Sequence, residues 1–558
     1  MIIGKDGSEE MLKELREREE EDLAQMISKK RNIPYIDLSK MTIDLDALRL
    51  VTEQKAVQGK VAVFQKVGKS LQVATRNPEM SQTREILDEL EREGYVLKIF
   101  MVSDNSLQRA WSRYAEVPEF VELKKGFIEV SPERIKEFVQ RVTNVEQFRD
   151  LIIPTINSKK QRQTSEILEV ILAGALQLEA SDVHIEPREE EALMRLRLDG
   201  VLQDIITFTV RAYKLLLSRT KLISELKLNV HEEPQDGRFT IKLENTNIEI
   251  RTSILPGPYG ESIVLRILNP KTIALTLEDL GMSQQFLKII DQELKAPNGM
   301  ILTTGPTGSG KTTTLYAFIR RKKTPGEKII TIEDPIEYHI PGITQTQVNT
   351  KEGYTFADGL RSILRQDPDI LLVGEIRDLE TANTAMHAAL TGHLVFSTLH
   401  TNDAAGTIPR LIDLGVKPSI IAPAINIAMA QRLIRRLCKN CRGQSKATDE
   451  EMEVIKNIIK NFPDIPGKEK IDEKNILLWR PKKCQECNNT GYKGRVGAFE
   501  ILLIDDKVEH LIMQNPSQND LVQEMKRQNM PSLIQDGFLK VIEGETTLEE
   551  LERVIGTR

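Results

Sequence analysis

The stretch MILTTGPTGSGKTTTLYAFIRR, residues 300–321, contains the segment that decides the fold of this chain. It opens with an apolar strand pattern, passes through GPTGSGKT at residues 305–312, and continues in residues typical of a helix. The glycines let backbone N–H groups turn toward phosphate, and the N-terminus of the helix adds positive potential. Strand, glycine-rich loop and helix in this order predict a P-loop.

Three further apolar strands follow the P-loop and predict an α/β domain. They are KIITIED, ILLVGE and HLVFSTLH. Buried strands that alternate with helices are typical of a parallel sheet covered on both faces. Because the carboxyl ends of parallel strands share one edge of the sheet, polar residues that follow these strands are expected near the P-loop.

Acidic residues follow two of these strands. Glu333, Asp334 and Glu337 lie at the end of the second strand, whereas the third strand ends in Gly374 and its first carboxylate belongs to Glu375. Acidic residues after a strand are more often part of a solvated loop than catalytic. Beside a P-loop, their clustering predicts metal binding and activation of water.

Two histidines bracket the fourth strand. In a regular strand, His393 and His400 would lie on opposite faces, because side chains alternate along a strand. We therefore expect one of them to reach nucleotide while the other packs, although a lone histidine at a strand end is usually structural.

Length and composition indicate a soluble multidomain protein. A chain of 558 residues exceeds one hydrophobic core and predicts three or four domains. The net charge of -6 gives no overall attraction to nucleic acid or to an anionic membrane. The charged N-terminus does not resemble a secretory signal, and the apolar run at residues 418–431 is shorter than a spanning helix of about 20 residues. We expect a cytoplasmic protein that reaches the membrane only through partners.

The patterns predict four segments. Residues 1–118 form a small N-terminal α+β domain, and residues 119–160 are either a linker or a short helical module. Residues 161–270 form a second α+β domain, in which EILEVILAGALQLEAS has helical spacing and SDVHIEP begins a strand. Residues 271–558 form the P-loop domain, including a cysteine lobe at 438–487 and C-terminal helices.

The four cysteines form two CxxC motifs, Cys438 with Cys441 and Cys484 with Cys487. Each CxxC turn can direct two thiolates at one tetrahedral Zn²⁺ ion. Disulfides are the alternative, but they are uncommon in a reducing cytoplasm. The pattern favours structural zinc, and TDEE at residues 448–451 predicts a helix cap inside the lobe.

Three arginines precede the P-loop: Arg238, Arg251 and Arg266. A surface salt bridge is the default interpretation of each. An arginine supplied from outside a P-loop domain can also stabilise phosphoryl transfer, typically by a factor of about 10³ to 10⁵. If these arginines reach the γ-phosphate, we expect them to act across a subunit boundary and to couple hydrolysis to domain motion.

Taken together, the motifs resemble those of the secretion ATPases that drive type II secretion and type IV pilus assembly. The resemblance runs from about residue 164 to the C-terminus and is weaker in the first 118 residues. Its marks are GPTGSGKTT, TIEDPIEY, LRQDPDILLVGEIRD, TGHLVFSTLHT and the CxxC pairs followed by TGYKGRVGAFE. It implies a RecA-like P-loop domain with a sheet containing parallel strands, preceded by a PAS-like α+β domain and the small N-terminal α+β domain.

The resemblance also implies site residues and the cofactors ATP, Mg²⁺ and Zn²⁺. Glu337 is the implied general base, Glu375 assists metal and water, and His400 senses phosphate. Arg238 and Arg251 match arginines that the second domain brings to nucleotide, and which of them dominates stays open. The implied nucleotide-binding residues, with Lys311 also catalytic and Thr312 holding Mg²⁺, are Gly305, Pro306, Thr307, Gly308, Ser309, Gly310, Lys311, Thr312, Thr313, Glu333 and Asp334.

The implied assembly is a homohexamer that acts on an inner-membrane platform protein. The N-terminal module resembles one that docks to a membrane-associated partner. Its EDLAQMISKKRNIPYIDL stretch shows no evident glycine signature for cyclic di-GMP, so binding of that ligand is not predicted. The cysteine lobe favours pilus assembly or secretion over pilus retraction.

Two other functions remain as alternatives. A P-loop motor that translocates nucleic acid would be expected to carry a basic channel, and the net acidity argues mildly against it. A nucleotide-gated scaffold would have little turnover. Steady ATP hydrolysis that falls in a Glu337→Gln variant would exclude the scaffold.

Overall fold

A computed structural model describes residues 6–41, 43–116, 127–129, 141–157, 163–243, 247–460, 462–463 and 476–556. The chain divides into two compact units, Met1–Leu123 and Lys124–Arg558. The second unit contains two large sheets with separate hydrophobic cores. The four-segment domain plan derived from the sequence stays a prediction.

The first unit contains a three-stranded sheet and several helices. Its strands are β1 (Val61–Val67), β2 (Ser70–Thr75) and β3 (Val96–Met101). β2 pairs antiparallel with β1 and parallel with β3. Its α-helices are α1 (Asp6–Arg31), α2 (Leu45–Leu48), α3 (Glu53–Gln58), α4 (Ser81–Arg92) and α5 (Asp104–Ser112).

The second unit begins with a seven-stranded sheet in the order β4-β8-β9-β10-β5-β6-β7. The strands are β4 (Phe127–Glu129), β5 (Asp182–Pro187), β6 (Glu191–Leu198), β7 (Val201–Thr209), β8 (Gln235–Lys242), β9 (Asn247–Gly257) and β10 (Gly260–Leu268). The accompanying helices are α6 (Val145–Asn157), α7 (Gln163–Gln177) and α8 (Val210–Ile223). Ile167, Leu168, Ile171 and Leu172 of α7 are buried, so the helical spacing in the sequence marks the face that packs. We call this part of the chain the arginine-bearing domain.

The segment at residues 119–160, left open by the sequence, contains α6 and β4. β4 pairs parallel with β8 and so extends the second sheet. Residues 117–126, 130–140 and 158–162 lie outside the described residues.

The P-loop domain is built on another seven-stranded sheet, in the order β13-β12-β14-β15-β11-β16-β19. The strands are β11 (Gly299–Thr304), β12 (Ile329–Glu333), β13 (Thr344–Gln347), β14 (Ile370–Val373), β15 (Leu394–Leu399), β16 (Ile425–Leu437) and β19 (Tyr492–Leu503). All neighbouring pairs are parallel except β16 with β19. β11, β12, β14 and β15 are buried along their length, in agreement with the continuous apolar runs of the sequence.

Helices flank this sheet and continue to the C-terminus. They are α9 (Gln284–Glu293), α10 (Lys311–Lys322), α11 (Phe356–Leu364), α12 (Leu379–Leu390), α13 (Thr407–Asp413), α14 (Pro418–Ala424), α15 (Asp449–Ile459), α16 (Asp506–Ile512), α17 (Gln518–Arg527), α18 (Leu533–Ile542) and α19 (Leu548–Ile555). The apolar run at residues 418–431 divides between α14 and β16. Its length therefore reflects a buried helix and strand in succession.

The cysteine lobe has a small core of its own. β17 (Gly443–Lys446) pairs antiparallel with β18 (Leu477–Arg480). α15 begins with the predicted capping box, in which Thr448 and Glu451 satisfy each other's backbone N–H groups. Side chains of α15, β18, α18 and α19 form the hydrophobic core of the lobe.

Candidate active site

The P-loop joins the end of β11 to the start of α10. Gly308 and Gly310 have φ angles of 79° and 90°, which side-chain-bearing residues adopt only with strain. A Cβ on Gly310 would also lie 2.9 Å from Nε2 of Gln431. The backbone conformation therefore favours glycine at both positions, and the phosphate-binding pattern itself specifies glycine at Gly310.

Lys311 is the first residue of α10, and its ammonium group lies over the loop. Its Nζ donates to the carbonyl oxygens of Gly305 and Pro306, at 2.8 and 3.1 Å. Burial lowers the pKa of Lys311, while the charge of Glu375 raises it. The ammonium group thus lies beside the loop that phosphate would enter, close enough to Glu375 for an electrostatic interaction.

Hydrogen bonds of two buried threonines, Thr304 and Thr314, hold the two ends of the P-loop in place. Thr304, the last residue of β11, shares a hydrogen bond of 2.7 Å with the hydroxyl of Thr401 and accepts another from the Thr401 backbone N–H. On the other side, Thr314 of α10 donates to the side-chain carbonyl of Gln431 at 2.8 Å. These contacts fix the P-loop against the segment that follows β15 and against β16.

Glu333 and Asp334 end β12 in different environments. Glu333 is buried, and its carboxylate accepts hydrogen bonds from Tyr316, from Thr331 at 2.6 Å and from Gln345 at 3.1 Å. Asp334 is exposed toward the cleft described below. Protein donors therefore already occupy the Glu333 carboxylate. The contact of Glu333 with nucleotide stays a prediction.

Glu337 meets an arginine of the arginine-bearing domain. Its Oε2 lies 2.7 Å from Nη1 of Arg251, and Nη2 of Arg251 donates to the carbonyl oxygen of Ile336 at 2.6 Å. Burial raises the pKa of Glu337, whereas Arg251 and Arg266 lower it. A carboxyl group with a raised pKa near a nucleotide site has the properties expected of a general base.

Gly374 has a steric reason to lack a side chain. A Cβ at this position would lie 3.3 Å from both the Cα of Glu333 and the carbonyl oxygen of Ile332. The backbone of β12 thus approaches so closely that a side chain at the end of β14 would require a small shift of one of the two strands. The first carboxylate is displaced by one residue, to Glu375.

Glu375 and His400 come together although they follow different strands. Nε2 of His400 lies 3.4 Å from Oε2 of Glu375, and Arg377 pairs with the other oxygen of that carboxylate, Oε1. The His400 side chain is 52% exposed. His393, at the other end of β15, contacts the carbonyl oxygen of Ala388 through Nδ1 at 3.0 Å. His400 therefore faces the candidate site, and His393 packs locally.

The three arginines lie side by side on adjacent strands of the arginine-bearing domain. Arg238 pairs in register with Arg251, and Arg251 pairs with Arg266. Arg238 is exposed. Arg251 reaches Glu337 within one chain, where the two domains pack together. The expectation that these arginines reach the γ-phosphate across a subunit boundary stays a prediction.

A cleft of about 1700 Å³ lies between the arginine-bearing domain and the P-loop domain. Ser181, Asp182, Arg197 and Arg266 line it on one side. The predicted site residues that line it are Thr307, Gly308, Gly310, Lys311, Thr312, Thr313, Glu333, Asp334, Glu337, Glu375 and His400. The structure thus brings the P-loop, both acidic stretches and the second histidine to one cavity.

The four cysteines form a second candidate site. Their sulfur atoms all lie within 4.8 Å of one another, with Cys438 3.8 Å from Cys484 and Cys441 3.8 Å from Cys487. Tetrahedral Zn–S bonds of about 2.3 Å place sulfur atoms about 3.8 Å apart, whereas a disulfide bond is about 2.05 Å long. The cluster fits a metal site. Next to Cys487, the Asn488 side chain accepts a hydrogen bond of 2.7 Å from the backbone of α6.

The comparisons with known proteins agree with this geometry. A family model described as Type II/IV secretion system protein matches residues 157–553, and a model described as MshEN domain matches residues 31–119. The chain belongs to the type II/IV secretion system protein family. This membership confirms the resemblance seen in the motifs.

Curated relatives in the family come from both kinds of system. The chain is 43% identical over 388 residues to type II secretion system protein E of Aeromonas hydrophila, which covers 70% of this chain and 75% of that protein. It is 35% identical over 535 residues to the type IV pilus assembly ATPase PilB of Myxococcus xanthus, which covers 96% of this chain and 91% of that protein. These relatives confirm that the chain is a secretion or pilus ATPase, and the family implies nucleotide and Mg²⁺.

A solved structure confirms the fold class. The Legionella pneumophila ATPase DotB matches with a TM-score of 0.50 and 22% identity, covering 71% of this chain and 97% of that chain. The α/β fold with a RecA-like P-loop domain is thereby confirmed. Within the described part of this secretion-family chain, no helix has the length and apolar character needed to cross a membrane.

Several residues at the site carry no motif that the sequence analysis used. Gln431 lies in an apolar run typical of a buried core segment. Its contact with Thr314, beside the P-loop, depends on the pairing of β16 with β11. Asp182 and Arg197 lie in strand patterns of the arginine-bearing domain. Alternating charged residues along SDVHIEP and LMRLRLDG are the sequence signal that one face of this sheet is polar.

Proposed function

We propose that this chain is a Mg-ATP-driven motor that works as a homohexamer on an inner-membrane platform protein of a pilus or secretion system. It would lie in the cytoplasm and reach the membrane through that protein and a membrane-associated docking partner. The observation that carries the proposal is the cleft, in which the P-loop faces arginines of a separate domain. Nucleotide bound there would contact both domains, so hydrolysis would change how they are held together.

The proposed roles follow from the positions of the side chains. Lys311 would bind the β- and γ-phosphates, and Thr312 would hold Mg²⁺. Glu337 would act as general base, with Glu375 assisting metal and water. Sensing of the γ-phosphate is assigned to His400, which lies beside Glu375 at the cleft. Mg²⁺ would supply charge stabilisation at the phosphates.

Arg251 and Arg238 are proposed to stabilise charge on the transferred phosphoryl group. Arg251 is the stronger candidate because it already contacts Glu337. The cysteine cluster is proposed to hold structural Zn²⁺, since sulfur spacings near 3.8 Å suit that ion. Four protein ligands leave no open position for catalysis.

Pilus assembly is the first candidate among the systems. The pilus-assembly relative aligns over 96% of this chain, including the N-terminal unit, whereas the secretion relative aligns over 70%. The alignment with the pilus-assembly ATPase therefore includes the N-terminal unit, for which docking to a partner is proposed. Higher identity to the secretion relative keeps type II secretion as the second candidate.

Two variants test the assigned roles. Lys311→Ala should lose binding of a fluorescent ATP analogue, because the ammonium that pairs with the phosphates is gone. Glu337→Gln should keep that binding and lose about 10²- to 10⁴-fold in turnover, the usual contribution of a general base. Equal loss of binding in both variants would contradict the assignment, and co-purification with a pilus or a secretion platform protein would distinguish the two systems.

A further inference from the structure

A row of charged side chains crosses five neighbouring strands of the arginine-bearing domain. In register, Arg238 of β8 faces Arg251 of β9, then Arg266 of β10, Asp182 of β5 and Arg197 of β6. Register partners project from the same face of a sheet. Four cations therefore share one face with a single carboxylate, which lies between the last two of them.

Asp182 holds both of its arginine neighbours. Its Oδ1 accepts from Nε of Arg266 at 3.1 Å, and its Oδ2 lies 3.2 Å from Nε of Arg197. The hydroxyl of Ser181 donates to Oδ2 at 2.8 Å. The Asp182 side chain is 7% exposed, while that of Arg266 is 56% exposed. The carboxylate is thus buried beneath guanidinium groups that remain open to solvent.

Arg266 lines the cleft and contacts Asp182 through Nε. The bond to Asp182 uses Nε, so this bond does not occupy the two terminal Nη groups. Arg266, Arg197 and Asp182 line the same cavity as Lys311 and Glu337. Arg266 also contributes to lowering the pKa of Glu337, which indicates that its charge acts at the proposed base.

We propose that Asp182 is a positioning residue of the ATPase centre, which fixes Arg266, together with Arg197, in the orientation that meets the phosphates of bound ATP. An arginine held by one nitrogen before nucleotide arrives loses less side-chain freedom on binding phosphate. The negative charge between Arg266 and Arg197 also offsets their mutual repulsion, which would otherwise turn the guanidinium groups apart. The inference rests on the proposed function, because it assumes that the cleft hydrolyses ATP.

The experiment is a double-mutant cycle on the full-length chain with Asp182→Asn and Arg266→Gln. Asparagine keeps the shape of Asp182 but removes its charge. Turnover of Mg-ATP should fall about 10- to 100-fold, as expected when a catalytic group is misplaced by about 1 Å. Binding of a fluorescent ATP analogue should stay within about threefold, because the P-loop supplies most ground-state binding.

The cycle separates positioning from general stabilisation. If Asp182 acts mainly through Arg266, the loss in the double variant should be smaller than the two single losses combined, and any remaining effect of Asp182→Asn reflects Arg197. The matched control is Glu186→Gln, which breaks the ion pair of Glu186 with Arg195 on the same two strands, β5 and β6. That pair does not line the cleft among the described residues, so turnover should stay within about twofold.

Three results would overturn the inference: unchanged turnover in Asp182→Asn, additive losses in the double variant, or an equal loss in Glu186→Gln. Should Asp182→Asn fail to fold, Arg266→Lys takes its place, because lysine keeps the charge but lacks the Nε that Asp182 holds. Full activity of Arg266→Lys would then refute the role of Asp182. If Glu337→Gln loses turnover while Asp182→Asn keeps normal turnover, only this inference is rejected. If Glu337→Gln itself keeps normal turnover, the proposed function is rejected.

Discussion

Replacing Arg251 with glutamine should move the acid limb of ATP turnover to higher pH. In the proposed mechanism Glu337 is the general base, which must be ionised to accept a proton, so turnover should fall as pH falls through the pKa of Glu337. Burial raises that pKa, and Arg251 is the largest influence that lowers it. Without Arg251 the pKa of Glu337 rises further, and the carboxylate is protonated at a pH where the wild-type residue is still ionised.

The distance between Arg251 and Glu337 and the exposure of their side chains determine the size of their interaction. Nη1 of Arg251 lies 2.7 Å from Oε2 of Glu337, and the two side chains are 21% and 31% exposed. Two charges 4 Å apart interact by about 4 kcal/mol at an effective dielectric constant of about 20. Solvent screening and side-chain entropy reduce the net value of partly exposed pairs to about 1 kcal/mol. On the acid side of the limb, turnover should fall about tenfold for each pH unit.

The assay is kcat/KM for Mg-ATP with the full chain from weakly acidic to neutral pH, because this ratio reports ionisation in the free enzyme, where Arg251 contacts Glu337. Each profile is normalised to its own plateau. Normalisation separates the position of the limb from the lower plateau expected if Arg251 also contacts phosphate. Arg195→Gln is the matched control, because Arg195 pairs with Glu186 on the same sheet. A profile of Arg251→Gln that coincides with wild type, or an equal displacement in Arg195→Gln, would refute the assignment of Glu337 as the titrating base.

Three further changes test other parts of the structure. Cys438→Ser should lower the bound zinc measured by mass spectrometry, and a loss of about 2 kcal/mol would lower the Tm of the lobe by about 4 °C or more. Gly374→Ala should cost about 1 to 3 kcal/mol in chemical denaturation because its Cβ meets the β12 backbone, whereas Gly326→Ala, which meets no atom within 4 Å, should be near neutral. Gln431→Leu removes the acceptor of Thr314 and should cost about 1 to 3 kcal/mol while weakening ATP binding.

The parts of the fold that the sequence predicted are those with a strong local pattern. The P-loop has its glycines, and the four buried strands are short apolar runs. β16 and β19 were missed because local pattern does not describe them. β16 continues directly from a helix that contains Pro423, and its outer half carries arginines, so its assignment depends on pairing with β11 and β19.

The contacts of the candidate site likewise divide into those that the sequence predicted and those that it did not. Glu375 and His400 were expected to converge, because ends of parallel strands share one edge, and they lie 3.4 Å apart. The contact of Arg251 with Glu337 follows from the packing of two domains, which no spacing in the sequence encodes. The close approach of the β12 backbone to Gly374 likewise depends on a neighbouring strand and is not visible in the local sequence. Local chemistry was therefore predictable, and contacts between separately folded parts were not.

The pairing of Arg251 with Glu337 suggests how hydrolysis is coupled to domain motion in the proposed motor. Without phosphate, Arg251 satisfies its charge on Glu337, which ties the arginine-bearing domain to the P-loop domain. In the proposed mechanism, a γ-phosphate would compete for the same guanidinium and, by taking it, would free Glu337 to accept a proton from water. When the γ-phosphate leaves, Arg251 would regain its carboxylate partner. We expect the two domains to change their relative position with this exchange, and a nucleotide-bound structure in which Arg251 stays on Glu337 would contradict it.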